Sequence, residues 1–279
     1  MSQKQSKITK LVLPVAGRGT RFLPQTNYLA KEMFPILNNP IMEYLVSEAI
    51  SAGIKEIIVV LSRAKNSIVE YFSNNYNRWK GIKVHLVYQE KQDGLGDAIL
   101  CAESYCKEEP FAVLLGDDIY FARKGEACPL KQCMDVYNKY KSPVVGVQEV
   151  PDCDVPKYGI LGIKKKVSKD TILVKSLVEK PKLGKNPSNY AILGRYILTP
   201  DIFKEIKRTK RGVSDEIQIT DAIQKLIKTK NVYGCVFKGD RFDTGNVLGY
   251  VKALTYSAVK SNQINECYVD FVYKLFNIK

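Results

Sequence analysis

The chain has 279 residues, 45% of them hydrophobic, which allows a sizeable core and excludes a disordered or fibrous protein. Its 43 basic residues against 29 acidic ones leave a formal charge of +14, which favours anionic partners: nucleic acid, a membrane surface or phosphorylated small molecules. No uncharged run of about 18 apolar residues occurs, so no transmembrane helix is expected, and the polar, basic residues 1–10 do not read as a secretory signal.

In chain order, residues 11–15 form a short apolar run that ends in glycines and reads as a strand. Pro40 opens a helix that Gly53 stops. Residues 54–61 read as a buried strand, 66–74 as a short helix and 82–88 as an alternating strand. The single histidine, His85, lies in that strand on the face of Lys83, opposite Val84 and Leu86, as a surface or hydrogen-bonded strand histidine. Enzymatic chemistry would then run on carboxylates, lysines, arginines and a metal. Residues 96–106 read as a helix and 111–115 as a buried strand. Strands alternating with helices imply parallel β-α-β units, with ligands beyond the carboxyl ends of the strands. The loops after Val15, Tyr88 and Leu115 are therefore the places for a site.

The second half is less regular. Strand signals occupy 144–150, 159–163, 174–179 and 190–198; helix signals occupy 201–207 and 220–229; a strand at 232–238 precedes a terminal helix from Val247. The clusters Lys164-Lys165-Lys166, Lys207-Arg208 and Lys210-Arg211 read as solvated loops and helix ends. They do not interleave with aromatics, which argues against a nucleic-acid platform. Seven scattered cysteines, with no C-x-x-C and no histidine beside them, read as buried thiols in a reducing cytoplasm and not as a zinc site.

Three loops and two further strand ends carry candidate chemistry. Gly17 and Gly19, followed by Arg21 and Lys31, allow backbone N–H groups and fixed positive charge to approach an anion. The dinucleotide fingerprint fails because Phe22 holds the third glycine position, and no P-loop fits. Gly94-Leu95-Gly96 would let a planar group lie against the backbone, with Gln89 able to pair with a base edge. Asp117 and Asp118 follow a buried strand, and Asp243 lies at a second strand end; hard oxygen ligands there suit Mg²⁺ shared with substrate phosphates. Glu179 could accept sugar hydroxyls and Lys180 could bind a phosphate, a surface ion pair being the alternative.

The motifs Pro14-Val15-Ala16-Gly17-x-Gly19-Thr20-Arg21, Lys31-Glu32-Met33-Phe34-Pro35, Gly94-Leu95-Gly96, Gly116-Asp117, Lys157-Tyr158-Gly159, Val178-Glu179-Lys180-Pro181, Pro187-Ser188-Asn189, Asp215-Glu216-Ile217-Gln218 and Asp243-Thr244-Gly245-Asn246 occur in order. Together they resemble the sugar-nucleotide pyrophosphorylases, and in particular the bacterial UTP–glucose-1-phosphate uridylyltransferases (UDP-glucose pyrophosphorylases). The resemblance implies an α/β, Rossmann-like nucleotidyltransferase fold with a mixed, mainly parallel sheet flanked by helices on both faces. It implies one domain over residues 8–270, binding nucleotide with about 8–150 and sugar with about 151–270. The implied reaction is UTP plus glucose 1-phosphate giving UDP-glucose and pyrophosphate, with Mg²⁺, by in-line attack on the α-phosphorus. By resemblance, Ala16, Gly17, Gln89 and Gly94 hold the uracil, and Arg21 and Lys31 face the triphosphate. Asp117 and Asp243 hold the metal. Gly159, Glu179 and Lys180 hold the glucosyl phosphate, and Arg21, Lys31 and Lys180 are the catalytic set.

The chain departs from that pattern at Asn27, Ala30, Asp93 and Asp97, and has a short segment over 73–82. These departures surround the nucleotide. They keep open a sister enzyme using dTTP or another sugar phosphate, or a non-catalytic regulatory paralogue. Small-molecule substrates, no nucleic acid, no membrane and a cytoplasmic location are expected. Leu248, Val251, Leu254, Ala258, Val269, Val272 and Leu275 either pack on the chain's own sheet or, by family analogy, form a homo-oligomer interface.

Overall fold

The computed structural model describes residues 7–75 and 78–276. Its main sheet has nine strands: β1 (Lys10–Pro14), β2 (Glu56–Leu61), β3 (Lys83–Tyr88), β4 (Phe111–Leu114), β5 (Val144–Glu149), β6 (Gly159–Ser168), β7 (Thr171–Glu179), β8 (Tyr190–Leu198) and β9 (Tyr233–Val236). Their spatial order is β3-β2-β1-β4-β8-β5-β9-β7-β6. Alternation along the strands feeds a core on each face. Leu11 and Leu13 of β1 enter one cluster with Ile57 and Val59 of β2, while Val12, Ile58 and Val60 enter the other. The helices that cover these faces are α1 (Ile41–Ala52), α2 (Asn66–Asn74), α3 (Leu95–Leu100), α4 (Glu103–Cys106), α5 (Pro129–Tyr140), α6 (Asp201–Lys207) and α7 (Ile219–Leu226).

The sheet is mixed, as the resemblance implies. Its parallel pairings are β3–β2, β2–β1, β1–β4 and β5–β9; the other neighbours run antiparallel. Parallel pairing therefore dominates only the first half, because a hairpin, not a helix, joins β6 to β7. That hairpin also corrects the expected loop at Lys164-Lys165-Lys166. The three lysines lie on β6, the last strand of the sheet, where charge keeps an open edge from pairing with another chain.

Other differences have local causes. The expected helix over 96–106 breaks between α3 and α4, where Ala102 N–H reaches back three residues to Ile99 O and tightens the turn. Sequence reading passed over α5, which starts with Pro129 at its first turn and buries Leu130, Cys133, Met134 and Tyr137 on one face. It also passed over a two-stranded ribbon, Asp118–Phe121 paired antiparallel with Asp240–Asp243. In the short 73–82 segment, of which 76–77 lie outside the described residues, Trp79 packs on Tyr71 and Phe72 with ring centroids at 5.4 and 5.7 Å. Cys106, Cys133 and Cys235 are buried, but Cys153 and Cys267 are exposed, so the expectation of buried thiols holds only in part. The chain ends in α8 (Val247–Lys260) and α9 (Asn265–Leu275). Ala258 is buried there, whereas Leu248, Val251 and Leu275 stand exposed.

Candidate active site

The loops after β1, β3 and β4 converge as a parallel sheet with this strand order requires, because strand order reverses on either side of β1. They enclose a cleft of about 320 Å³ lined by Ala16, Gly17, Lys31, Gln89, Gly94 and Asp117, among others. Gly17 has nothing within 4 Å of the point where a side chain would begin, so its backbone faces open space. Gly94 differs. Its φ of +106° is a conformation that only glycine adopts freely, and a Cβ there would lie 2.8 Å from Glu216 Cβ and 2.9 Å from Ile217 N. Ile217 N–H donates to Asp93 O, and Gly96 N–H donates to Ile217 O, both at 2.8 Å. The glycines thus admit the 216–217 segment, which backs the loop from the second half of the chain.

At this end of the cleft Gln89 is buried. Its Nε2 donates to Asp97 Oδ2 at 2.7 Å and to Gly94 O at 3.2 Å. The departures at Asp93 and Asp97 both have partners, since Asp93 pairs with Arg211 at 2.7 Å. Ala30 is explained too: its N–H lies 3.4 Å from Ser67 Oγ, a contact closed to proline.

The opposite end is built from paired charges. Lys31 Nζ bonds Asp117 Oδ2 at 2.7 Å. Burial alone would lower the Lys31 ammonium's pKa, but Asp117, Glu32 and Asp243 outweigh it and raise it. Burial would raise the Asp117 carboxyl, and Lys31 with Arg241 instead holds it below the usual range. Under the same loop Lys65 Nζ bonds Glu32 Oε2 at 2.7 Å, both side chains being buried; here desolvation wins and lowers Lys65. Thr244 fastens the second acid. Its N–H and hydroxyl donate to Asp117 O at 2.8 and 2.9 Å, which brings Asp243 beside Asp117. A Cβ at Gly245 would meet Asp117 Oδ2 at 2.8 Å and Asp243 Oδ1 at 3.0 Å, so both carboxylates crowd one point and any side chain there would intrude.

Arg21 does not line this cleft. Its Nη1 lies 3.4 Å from Gly245 O, and its side chain borders an apolar groove with Phe22, Tyr250 and Val251. It reaches the acid pair from the far side, through Gly245.

Gly159, Glu179 and Lys180 come together at the ends of β6 and β7. Thr220 Oγ1 donates to Glu179 Oε2 at 2.7 Å, and a Cβ at Gly159 would lie 3.0 Å from both atoms. Lys180 adopts φ +42° at the strand end, where its N–H donates to Tyr158 O at 3.0 Å and its Nζ sits 3.8 Å from Glu179 Oε1. The left-handed turn lets two adjacent residues serve one site, which a straight strand forbids.

Sequence reasoning missed several supports. Arg241 donates to Asp118 Oδ1 at 2.7 and 2.6 Å and to Tyr158 Oη at 3.0 Å, tying the acid end to the segment that enters β6. Arg195 is fully buried; it pairs with Glu48 through Nη2 and through Nε at 3.1 Å, and its Nη1 donates to Asp118 O at 2.8 Å. A lone arginine inside the apolar run of β8 was the available signal. Thr220 and Lys65 had none, because their partners lie 41 and 33 positions away. His85 takes no part: its Nε2 sits 2.9 Å from Glu56 Oε1.

A family model described as nucleotidyl transferase matches residues 10–258. A UTP–glucose-1-phosphate uridylyltransferase from Streptococcus pyogenes is 39% identical, the match covering 97% of this chain and 95% of that one. A UDP-glucose pyrophosphorylase solved with UDP-glucose superimposes with a TM-score of 0.87 at 39% identity, over 91% of this chain and all of the other. A UTP-bound UGPase from Acinetobacter baumannii gives a TM-score of 0.85 at 34% identity, over 98% of this chain and all of the other. Among the described residues no helix is long and apolar enough to cross a membrane.

Proposed function

Because the chain belongs to the nucleotidyl transferase family, and within it to the UTP–glucose-1-phosphate uridylyltransferases, we propose that it transfers the uridylyl group of UTP to glucose 1-phosphate, giving UDP-glucose and pyrophosphate. The observation that carries this reading is the cleft itself. A base-sized end closed by Gln89 and Gly94 and an acid-and-lysine end at Lys31 and Asp117 share one cavity, and Arg241 and Tyr158 lead from the acid end to Glu179.

An ionised phosphate oxygen of glucose 1-phosphate attacks the α-phosphorus in line. A new P–O bond forms, the α–β bridging P–O bond breaks, and pyrophosphate leaves with the electron pair. No protein nucleophile and no proton removal are needed, so the chain contributes positioning and charge neutralisation. Ala16, Gly17, Gln89 and Gly94 hold the uracil; Lys31 faces the triphosphate, whereas Arg21, outside the cleft behind Gly245, does not take the place expected for it; Glu179 beside Gly159 holds the glucosyl hydroxyls, and Lys180 the sugar's phosphate.

Asp117 and Asp243 suit a divalent cation. Their carboxylates crowd the same point at Gly245, and Asp117 already accepts the Lys31 ammonium. Among the described residues no third carboxylate, cysteine or histidine joins them, the donor set expected where substrate phosphates complete the shell, as for Mg²⁺. Bound there, Mg²⁺ would supply charge neutralisation at the α-phosphate. Residues 8–270 act as one domain in this reading, in the cytoplasm. The exposed Leu248, Val251 and Leu275 would meet a second copy, and sedimentation of the wild type against Leu248→Glu tests that.

The deciding experiment is pyrophosphate release with Mg²⁺, glucose 1-phosphate and each nucleoside triphosphate in turn. Release with UTP is expected. Release chiefly with dTTP, or none while UDP-glucose still binds, overturns the reading.

A further inference from the structure

We infer that Asp97 is a positioning residue that fixes the polarity of Gln89, making it a hydrogen-bond acceptor toward the base and so selecting uracil over cytosine. The inference deepens the uridylyl reading and rests on it for the place of the base.

A primary amide is ambiguous as a reader, because its oxygen and nitrogen occupy nearly the same volume and can exchange places. At Gln89 the surroundings remove the ambiguity. Asp97 Oδ2 and Gly94 O lie 2.7 and 3.2 Å from Nε2, and a carboxylate and a carbonyl can only accept. Both N–H bonds of the amide are thereby used. Turning the amide over would set its oxygen against two acceptors inside a buried pocket, where unpaired polar groups are costly. Oε1 is the atom left for a ligand in the cleft that Gln89 lines.

In this reading Oε1 stands opposite the ring nitrogen N3, because opposite position 4 an acceptor would instead favour the amino group of cytosine. N3 of uracil or thymine carries a hydrogen and donates; N3 of cytosine carries a lone pair and would oppose Oε1. The discrimination is strong in kind, since a site built to pair one group rejects an analogue that leaves it unpaired. Asp97 is itself held in place by position: it sits in the first turn of α3, behind Gly94-Leu95-Gly96, which the 216–217 segment backs. Arg211, paired with Asp93 at 2.7 Å, is the neighbouring cation.

The test uses Asp97→Asn, whose side chain can donate as well as accept and so permits either orientation of Gln89. The ratio of kcat/KM for UTP over CTP is measured for wild type and variant with glucose 1-phosphate and Mg²⁺. A fall of about tenfold or more is expected, the fold-change of one hydrogen bond, while Asp97→Glu keeps most of the wild-type ratio. A ratio unchanged in Asp97→Asn overturns the inference. Should that variant fold poorly, Asp97→Ala removes the acceptor from Nε2 altogether and should lower the ratio in the same way. Calorimetric binding of UMP and CMP to wild type and variant needs no turnover. Loss of the UMP preference in the variant supports the inference even in an enzyme that proves inactive, whereas a wild type that prefers UMP to CMP but does not turn over UTP defeats the uridylyl reading alone.

Discussion

The two ends of the cleft are held together by different physics. At the acid end the frame is paired charge: Lys65–Glu32, Arg241–Asp118 and Arg195–Glu48 lie largely out of water, and Lys31–Asp117 is half-buried at the mouth of the cleft. At the base end, the frame is backbone: Ile217 bonds to Asp93 and Gly96, and Gly94 lets that contact close to within 3 Å of a would-be Cβ. Removing a side chain should therefore be most damaging at the first end, where it strands a partner's charge. Adding a carbon should be most damaging at the second, where no room exists.

The sharpest break of this comparison is Arg195→Met. It leaves Glu48 charged and unpaired in the core, and unfolding in urea should show a loss of about 3–5 kcal/mol. Adding Glu48→Leu should return much of it; no recovery in the double variant would mean that the loss comes from packing and not from the stranded charge. Asp117→Asn and Asp243→Asn should each lower kcat by about 10²–10³ with near-normal circular dichroism if the two carboxylates hold a cation as proposed, because one ligand is lost while shape is kept. Near-wild-type turnover in either one at ordinary Mg²⁺ would take that residue out of the acid pair.

On the base side, Gly94→Ala should cost about 1–3 kcal/mol of stability, from the φ of +106° alone, and should weaken UMP binding. A fully stable Gly94→Ala would show that the 216–217 segment yields easily and that this end is softer than described. Glu179→Gln should raise KM for glucose 1-phosphate about tenfold and leave KM for UTP nearly unchanged, since the amide oxygen still accepts but without charge assistance. A large change for UTP instead would assign β7 to the other substrate.

The smallest effect concerns pH. Lys31 holds the Asp117 carboxyl below its ordinary range, so the pair's contribution to stability is fully present above the ordinary aspartate pKa and is lost as pH falls through the lowered value. The Tm difference between wild type and Asp117→Asn should stay flat from about pH 5 to 8 and close only in stronger acid. A difference that shrank near neutrality would mean that the pair is not charged as described.

The first half of the chain was legible because its signals are local. Buried runs such as 54–61 and glycine-rich turns after Val15 and Tyr88 are contiguous, and a parallel sheet places such turns on one edge. The ribbon at Asp118–Phe121 was not legible. Its strand is four residues long and its pairing partners lie more than a hundred positions away, at Asp240–Asp243. The lysines of β6 were misplaced for a related reason: an edge strand carries solvated charge and loses the apolar alternation that marks a strand.

Sequence alone named the candidate groups: the glycine loop, Gln89, Lys31, Asp117, Asp243, Glu179 and Lys180, each by a short motif. Tertiary structure decided how they are aimed. It set Arg21 behind Gly245 and outside the cleft, gave Glu179 its Thr220 partner, and turned Gln89 by placing Asp97 against its amide. Composition and spacing specify which atoms are available, but the orientation of a hydrogen bond or an ion pair depends on angles and distances between segments that meet only when the sheet has formed.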